Sequence, residues 1–421
     1  MDGEKIRYFL MSISDREGLV MAMCETDAGS HALSEAYRYH DDTIALRRWF
    51  HTYPESSLKE YQTSARIRDE LSALGIPHRT AGETGVVGII QGTAPGAEGG
   101  PVIGLRADID ALEIREQNDV AYRSVHDGLM HACGHDGHTA SLLTASRILQ
   151  QGRAGIPGTV KLIFQPAEEI GRGAKIIVDS GLVSDVNAFF GIHVTPNLPT
   201  GQISVVSGPI MAGSNTLRIE VHGKSGHGAK PHQAIDAIAA GCAIVEALQH
   251  VVSREIDPVD PAVVTIGTFN AGTRENIIAN KAVLTGTLRV LTEETRRQAS
   301  EAIKRIVINI AAAHRVDVDV QCEHTTSIVI NDASLYDIVL KSVGSILSEQ
   351  AIARLPVEMG TEDFPVYGAV APAFYAHVGV GGCPGLIKNY PVHHEKFNLD
   401  EDSLAIAAAL HVEFARQYLG Y

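Results

Sequence analysis

The densest run of chemically versatile side chains is residues 131–140, HACGHDGHTA, where Cys133, His135, Asp136 and His138 fall within six positions. Thiolate, imidazole and carboxylate are the donors of zinc and its first-row neighbours, and a Cys-x-His pair in a glycine-rich turn can aim both donors at one point. Any one of these residues reads as well as part of a helix start, with Asp136 as cap and a buried structural cysteine. The four together favour a metal. A second group is FQPAEE (164–169), in which a strand ends, Pro166 forces a turn, and Glu168 and Glu169 stand side by side. Ligands bind at the carboxyl ends of strands in α/β sheets. Adjacent carboxylates there can divide the work, one holding a cation while the other takes a proton from water. An acidic pair at a helix start is also an ordinary solvated arrangement. His193 ends an apolar strand, FFGIHV, and His393 and His394 lie in NYPVHHEKF. Each is weak alone, since a histidine after a strand is usually a hydrogen-bonded structural residue. Collectively Cys133, His135, Glu169, His193 and His393 supply donors for two ions, provided the fold brings them together.

Farther along, GKSGHGAKPH places His227 and His232 in a glycine-rich loop, while RENIIAN and GTLRVL contribute Asn276 and Arg289. An arginine so placed can grip a carboxylate through two hydrogen bonds, with Asn276 adding another. A surface turn and an exposed strand-end arginine explain the same residues equally well.

These groups need a scaffold, and 421 residues provide enough chain for two or three domains. Composition is that of a folded chain, with 45% hydrophobic and 20% charged residues, so disordered, collagen-like and coiled-coil readings fall away. The formal charge, 35 − 50 = −15, would repel nucleic-acid phosphates and anionic lipid. Neither nucleic acid nor membrane is an expected partner. Five dispersed cysteines (Cys24, Cys133, Cys242, Cys322 and Cys383) do not suggest a disulfide framework. The first thirty residues break every apolar run with charge, so neither a signal-peptide core nor a span of about 18 apolar residues is expected. Cytoplasmic residence is the expectation.

Helical spacing over 32–50 and 59–75, followed by apolar strands at 85–90, 101–109, 159–165 and 187–194, predicts an α/β sandwich. After the connector SGPIMAGSN (207–215), a strand is followed by helix 233–254, strands 262–269 and 281–291, helix 293–314 and strand 316–322. That order is the β-α-β-β-α-β of a ferredoxin-like domain. Helix 333–348, a short helix near 360–368, strand 373–380 and helix 403–419 then rejoin the first sheet. The predicted architecture is an N-terminal extension (1–31) and a larger α/β sandwich catalytic domain (32–210 and 326–421), interrupted by an inserted ferredoxin-like α+β lid and dimerisation domain (211–325).

Eight motifs in order, LRADIDAL, HACGHDGHTA, FQPAEE, GIHV, SGHGAKPH, GTLR, MGTEDF and HHEKF, resemble the metal-dependent M20 peptidases. Within that family they resemble the branch of the aminoacylases, hippurate hydrolases and auxin-conjugate hydrolases. The resemblance spans about residues 32–421. It implies a dinuclear site of Cys133, His135, Glu169, His193 and His393, with Glu168 as general acid and base. It also implies that His227, from the partner subunit's lid, stabilises the oxyanion, that Asn276 and Arg289 hold the substrate carboxylate, and that Asp108 and Asp110 support the ligands. Many relatives outside this branch have His-x-Asp where this chain has Arg106-Ala107-Asp108, so Cys133 is inferred to replace that ligand. Glu395 stands where the branch usually has proline; of the two adjacent histidines, His393 is the expected ligand.

The implied activity is hydrolysis of the amide of N-acyl amino acids (N-acetyl, N-benzoyl or aminobenzoyl-glutamate type) by a homodimer holding two divalent ions. Zinc is the first expectation, with manganese, cobalt or nickel as alternatives. The rival readings are a dipeptidase or aminopeptidase, for which no clear anchor for a free α-amino group stands out, and a non-catalytic metal-binding scaffold.

Overall fold

The computed structural model describes residues 31–382 and 390–421. Nearly all of the predicted extension over 1–31, with Cys24 and Cys383, lies outside them. The chain forms two compact units. One comprises the residues up to Val206 with Asn331–Leu355 and Val366–Tyr421, and the other comprises Ser207–Ile330 with Pro356–Pro365.

In chain order the first unit opens with α1 (His31–Arg38), α2 (His40–Thr52) and α3 (Tyr61–Ala73). The single helix expected over 32–50 is thus broken at Tyr39, whose amide turns back to the Ala36 carbonyl. Next come β1 (His78–Ala81), β2 (Gly85–Gln91), β3 (Val102–Asp108), α4 (His135–Gln151), β4 (Thr159–Gln165), α5 (Gly173–Asp179), β5 (Ala188–Pro199) and β6 (Ile203–Ser204). The second unit holds β7 (Gly208–Met211), β8 (Gly213–His222), β9 (Gly226–His227), α6 (Ala237–His250), β10 (Ala262–Ala271), β11 (Ile277–Ile278), β12 (Lys281–Val290), α7 (Glu293–His314), β13 (Asp317–Thr326) and most of β14 (Val329–Asn331). The chain returns through α8 (Ala333–Ile346), β15 (Ile352–Ala353), α9 (Pro365–Gly368), β16 (Ala373–Gly381) and α10 (Ser403–Leu419).

The large sheet has the order β1-β2-β4-β3-β5-β16-β6-β15, and its centre, β4-β3-β5-β16, is parallel. Parallel strands covered on both faces need continuous apolar runs. Accordingly β4 (TVKLIFQ) and β16 (AFYAHVGVG) are buried at every position. Full burial of residues such as Leu162, Phe164 and Phe190 contributes about 1.5–3 kcal/mol apiece. The helix α10 (SLAIAAALHVEFARQYL) is buried from Ser403 to Ala415; its run of alanines lets neighbouring backbones approach. His193 does not end its strand. β5 continues to Pro199 because its parallel pairing with β16 runs on past His193.

In the second unit four antiparallel strands run β10-β12-β8-β13, the spatial order of a ferredoxin-like sheet. The apolar residues of β8, β12, α6 and α7, among them Leu217, Ile219, Ile244, Leu284 and Ile303, form one core. Both helices start on side-chain caps: Asp236 accepts from the Ile238 and Ala239 amides, and Thr292 from the Thr295 amide. Such caps stabilise a helix by about 1 kcal/mol. Residues 356–365, read from sequence as part of the larger domain, fold with this unit. The amides of Ala212 and Glu358 donate to the carbonyls of Glu358 and Ile210, both at 3.0 Å, and that bridge ties the segment here.

Candidate metal centre

The centre gathers where β3, β4, β5 and β16 end or pass. A backbone anchor sets the Cys133 loop: Leu112 and the buried Met130 exchange two backbone hydrogen bonds at 3.0 Å. The loop then enters α4 through Gly134, which has φ 88°. A side chain there would be strained and its Cβ would lie 2.3 Å from a Val194 methyl, so only glycine lets Cys133 and His135 share one turn.

Cys133 Sγ lies 3.4 Å from His193 Nε2, and one donor atom each from Cys133, His135 and His193 lie within 4.8 Å of one another. The same limit holds for Cys133, Glu169 and His393, and for His135, Glu168 and Glu169. His393 Nε2 stands 3.5 Å from Glu169 Oε2, and His135 Nε2 stands 3.9 Å from Glu169 Oε1. All five sequence-derived donors, with Glu168, therefore meet in one place.

Hydrogen bonds fix which atoms face inward. His135 Nδ1 donates to the Asp110 carbonyl at 2.9 Å and His193 Nδ1 donates to the Val194 carbonyl at 2.7 Å. In both rings Nε2 keeps its lone pair, the tautomer a metal takes. His135 Nε2 and Glu169 Oε1 are buried without a hydrogen-bond partner among the described residues. Orphaned acceptors cost free energy unless a ligand satisfies them, so this donor set fits a cation.

Not all of HACGHDGHTA faces the centre. His138 Nδ1 donates to Asp108 at 2.5 Å, and His138 Nε2 accepts the Val194 amide at 2.9 Å, leaving no free lone pair. Asp136 turns away into a buried network. It accepts from Arg47 at 2.8 Å and His51 at 2.7 Å, and His51 reaches Glu116 at 3.1 Å. Of the four residues of this motif, only Cys133 and His135 face the other candidate donors, which are the two that the five-residue set includes.

Asp108 and Asp110 organise the surroundings. Asp108 accepts from Arg106 at 2.6 Å. The two Asp110 oxygens accept the Glu168 and Glu169 amides, both at 3.1 Å, and Ser57 donates to it at 2.6 Å. Burial alone would raise both aspartates; the His135 ring beside them, with Arg106 and the His138 hydrogen bond at Asp108 and the Ser57 hydrogen bond at Asp110, holds them below the ordinary carboxylate range. Burial pushes Glu169 up to about 7 and lifts the Cys133 thiol well above its usual value. Burial also lowers His193 and His393, with neighbouring histidines adding to the effect. His393 has φ 65°, a left-handed backbone of the kind found at functional positions, and its amide donates to the Ala132 carbonyl at 2.7 Å. His394 instead stacks on Tyr390 at 4.5 Å, and its Nδ1 accepts the Lys396 amide.

His227, Asn276 and Arg289 belong to the second unit. The exposed His227 accepts the Ala229 amide at Nδ1 (3.1 Å), which leaves Nε2–H as a donor. It pairs with Ile277 across β9 and β11, and the Asn276 carbonyl accepts the Gly228 amide at 2.8 Å, so these loops lie side by side. Arg289 Nη1 donates to the Met359 carbonyl at 2.6 Å. The sequence reading missed Glu60, Ser57, Arg47 and His51. Isolated polar residues carry no mark in the sequence of the distant partners that the fold gives them.

The family model described as Peptidase family M20/M25/M40 matches residues 104–417. Similar proteins include thermostable carboxypeptidase 2 of Saccharolobus solfataricus, 39% identical over 387 residues covering 90% of this chain and 95% of its own. N-acetylcysteine deacetylase of Bacillus subtilis is 38% identical over 389 residues, 90% and 97% of the two chains. IAA-amino acid hydrolase ILR1-like 4 of Arabidopsis thaliana is 34% identical over 398 residues, 92% and 88%. Among solved structures, the Bacillus subtilis YXEP protein, described as a dinuclear metal binding peptidase from the M20 family, matches with a TM-score of 0.80 at 35% identity, over 91% of this chain and 99% of that one.

Proposed function

The chain belongs to the M20/M25/M40 peptidase family, and from that premise we propose that it hydrolyses the amide joining an acyl group to the nitrogen of an amino acid. One observation carries the reading: five candidate donors, two of them with orphaned buried atoms, converge beside Glu168, the other carboxylate of the adjacent pair. Cys133, His135, Glu169, His193 and His393 would hold two divalent ions. When bound, such ions polarise the scissile carbonyl and acidify water. The sulfur and imidazole donors favour zinc over manganese, cobalt or nickel.

Glu168, half-buried and kept out of the ligand set, accepts the proton of the attacking water and returns it to the departing nitrogen. The His227 Nε2–H is a donor for the oxyanion, a contribution of about 3–4 kcal/mol in comparable sites. Arg289 and Asn276 would take the free carboxylate of the amino-acid half. A deacetylase, an amino-acid-conjugate hydrolase and a carboxypeptidase share this bond: an acylated nitrogen next to a free carboxylate. No recognition of a free α-amino group is required, which separates the reading from an aminopeptidase.

The second unit is the candidate dimer contact. Its edge strand β10 pairs on one side with β12 among the described residues and exposes Val263 and Phe269. Among those residues no helix is long and apolar enough to cross a membrane. Cytoplasmic residence rests on the cysteine pattern.

The test is a panel of N-acetyl and N-benzoyl amino acids, aminobenzoyl-glutamate and free dipeptides, assayed on zinc-loaded and chelated enzyme and on Glu168→Gln. Turnover of the N-acyl substrates should be lost to chelator and fall by about 10²–10⁴-fold in Glu168→Gln, with bound metal unchanged. Full metal occupancy without turnover would favour the scaffold; preference for free dipeptides would favour the peptidase.

A further inference from the structure

Two residues near the carboxylate pair adopt the left-handed backbone without being glycine: Leu58 at φ 65° and Ala167 at φ 52°. An L-residue persists there only where its surroundings enforce it. Both have the same support. Glu60 Oε1 accepts the amides of Leu58 and Ala167, each at 2.9 Å, while Glu60 Oε2 accepts the Thr84 hydroxyl at 2.7 Å. Glu60 is fully buried, a costly place for a carboxylate unless its oxygens are used.

Beyond Ala167, the next two amides, of Glu168 and Glu169, go to Asp110. Three consecutive N–H groups therefore end on two buried carboxylates, and the turn after β4 has no freedom to relax toward ordinary φ. Released from Glu60, Ala167 would swing out of the left-handed region and carry both glutamates with it.

We propose that Glu60 is a positioning residue of the hydrolytic site: its buried carboxylate clamps Ala167 in left-handed backbone and thereby aims Glu168 and Glu169 at the metal centre. This rests on the amidohydrolase reading above.

The experiment compares full-length wild type, Glu60→Gln, Glu60→Ala and Glu60→Ala/Ala167→Gly. It reads zinc affinity by chelator competition, kcat and KM on an N-acyl amino acid, and wild-type amide exchange at Leu58 and Ala167. Glu60→Gln keeps an oxygen for both amides and should match wild type in zinc affinity and kcat. Glu60→Ala should lose about 10–100-fold in zinc affinity at one of two sites and in kcat, with KM little changed. Glycine at 167 needs no clamp and should restore part of both losses. A folded Glu60→Ala with wild-type zinc affinity and kcat overturns the proposal, as does a Glu60→Gln equally damaged. If Glu60→Ala does not fold, Glu60→Gln and amide exchange decide, since Leu58 and Ala167 amides that exchange as fast as free loop amides also overturn it. Failure of the underlying reading looks different: a wild type that binds no zinc or leaves every N-acyl amino acid intact.

Discussion

Replacing His411 by leucine should make the first unit less sensitive to acid. His411 lies on α10 with both ring nitrogens buried and unpartnered among the described residues, its ring edge-on to Phe190 at 5.6 Å. Burial, with His138 adding to it, lowers its pKa from 6.5 to about 3. The unfolded chain therefore binds a proton between pH 6.5 and 3 that the folded chain refuses, so stability is fully present above 6.5 and falls as the pH drops. The slope is about 1.4 kcal/mol per pH unit, which amounts to about 2 kcal/mol at pH 5. Leucine has similar volume and no proton to bind, and at pH 7 it should be neutral or stabilising because it removes two unsatisfied nitrogens. The assay is urea unfolding of chelator-stripped protein at pH 7, 6 and 5, followed by Trp49, the only tryptophan, which lies on α2. The advantage of His411→Leu over wild type should widen by about 2 kcal/mol from pH 7 to pH 5. A difference that stays constant with pH would refute the reasoning.

Gly134→Ala should destabilise the fold by about 2–5 kcal/mol, from left-handed strain and overpacking. It should also weaken zinc binding, because the clashing Val194 accepts the hydrogen bond that orients His193; unfolding and metal content check both. Arg47→Met leaves buried Asp136 without its guanidinium and should cost about 3–5 kcal/mol, read by urea unfolding at pH 7.

The sequence alone carried the elements and the candidate donors, and for a shared reason: both are local. The apolar runs of β4 and β16 and the spacing of α7 record burial within a few residues. Likewise Cys133-x-His135 and Glu168-Glu169 advertise their chemistry by adjacency. The same locality made Asp136 and His138 part of the motif's case for a metal, since four residues in one run look equivalent until their partners are known. Tertiary structure decided between them, because each ring's available nitrogen is set by groups distant in the chain: Asp110 for His135, Asp108 and Val194 for His138, Arg47 for Asp136. It alone revealed Glu60, which is unremarkable in LKEYQT until the fold brings Ala167, 107 residues later, onto its oxygen. The candidate donors are written in the chain, whereas their orientation is a property of contacts that exist only after folding.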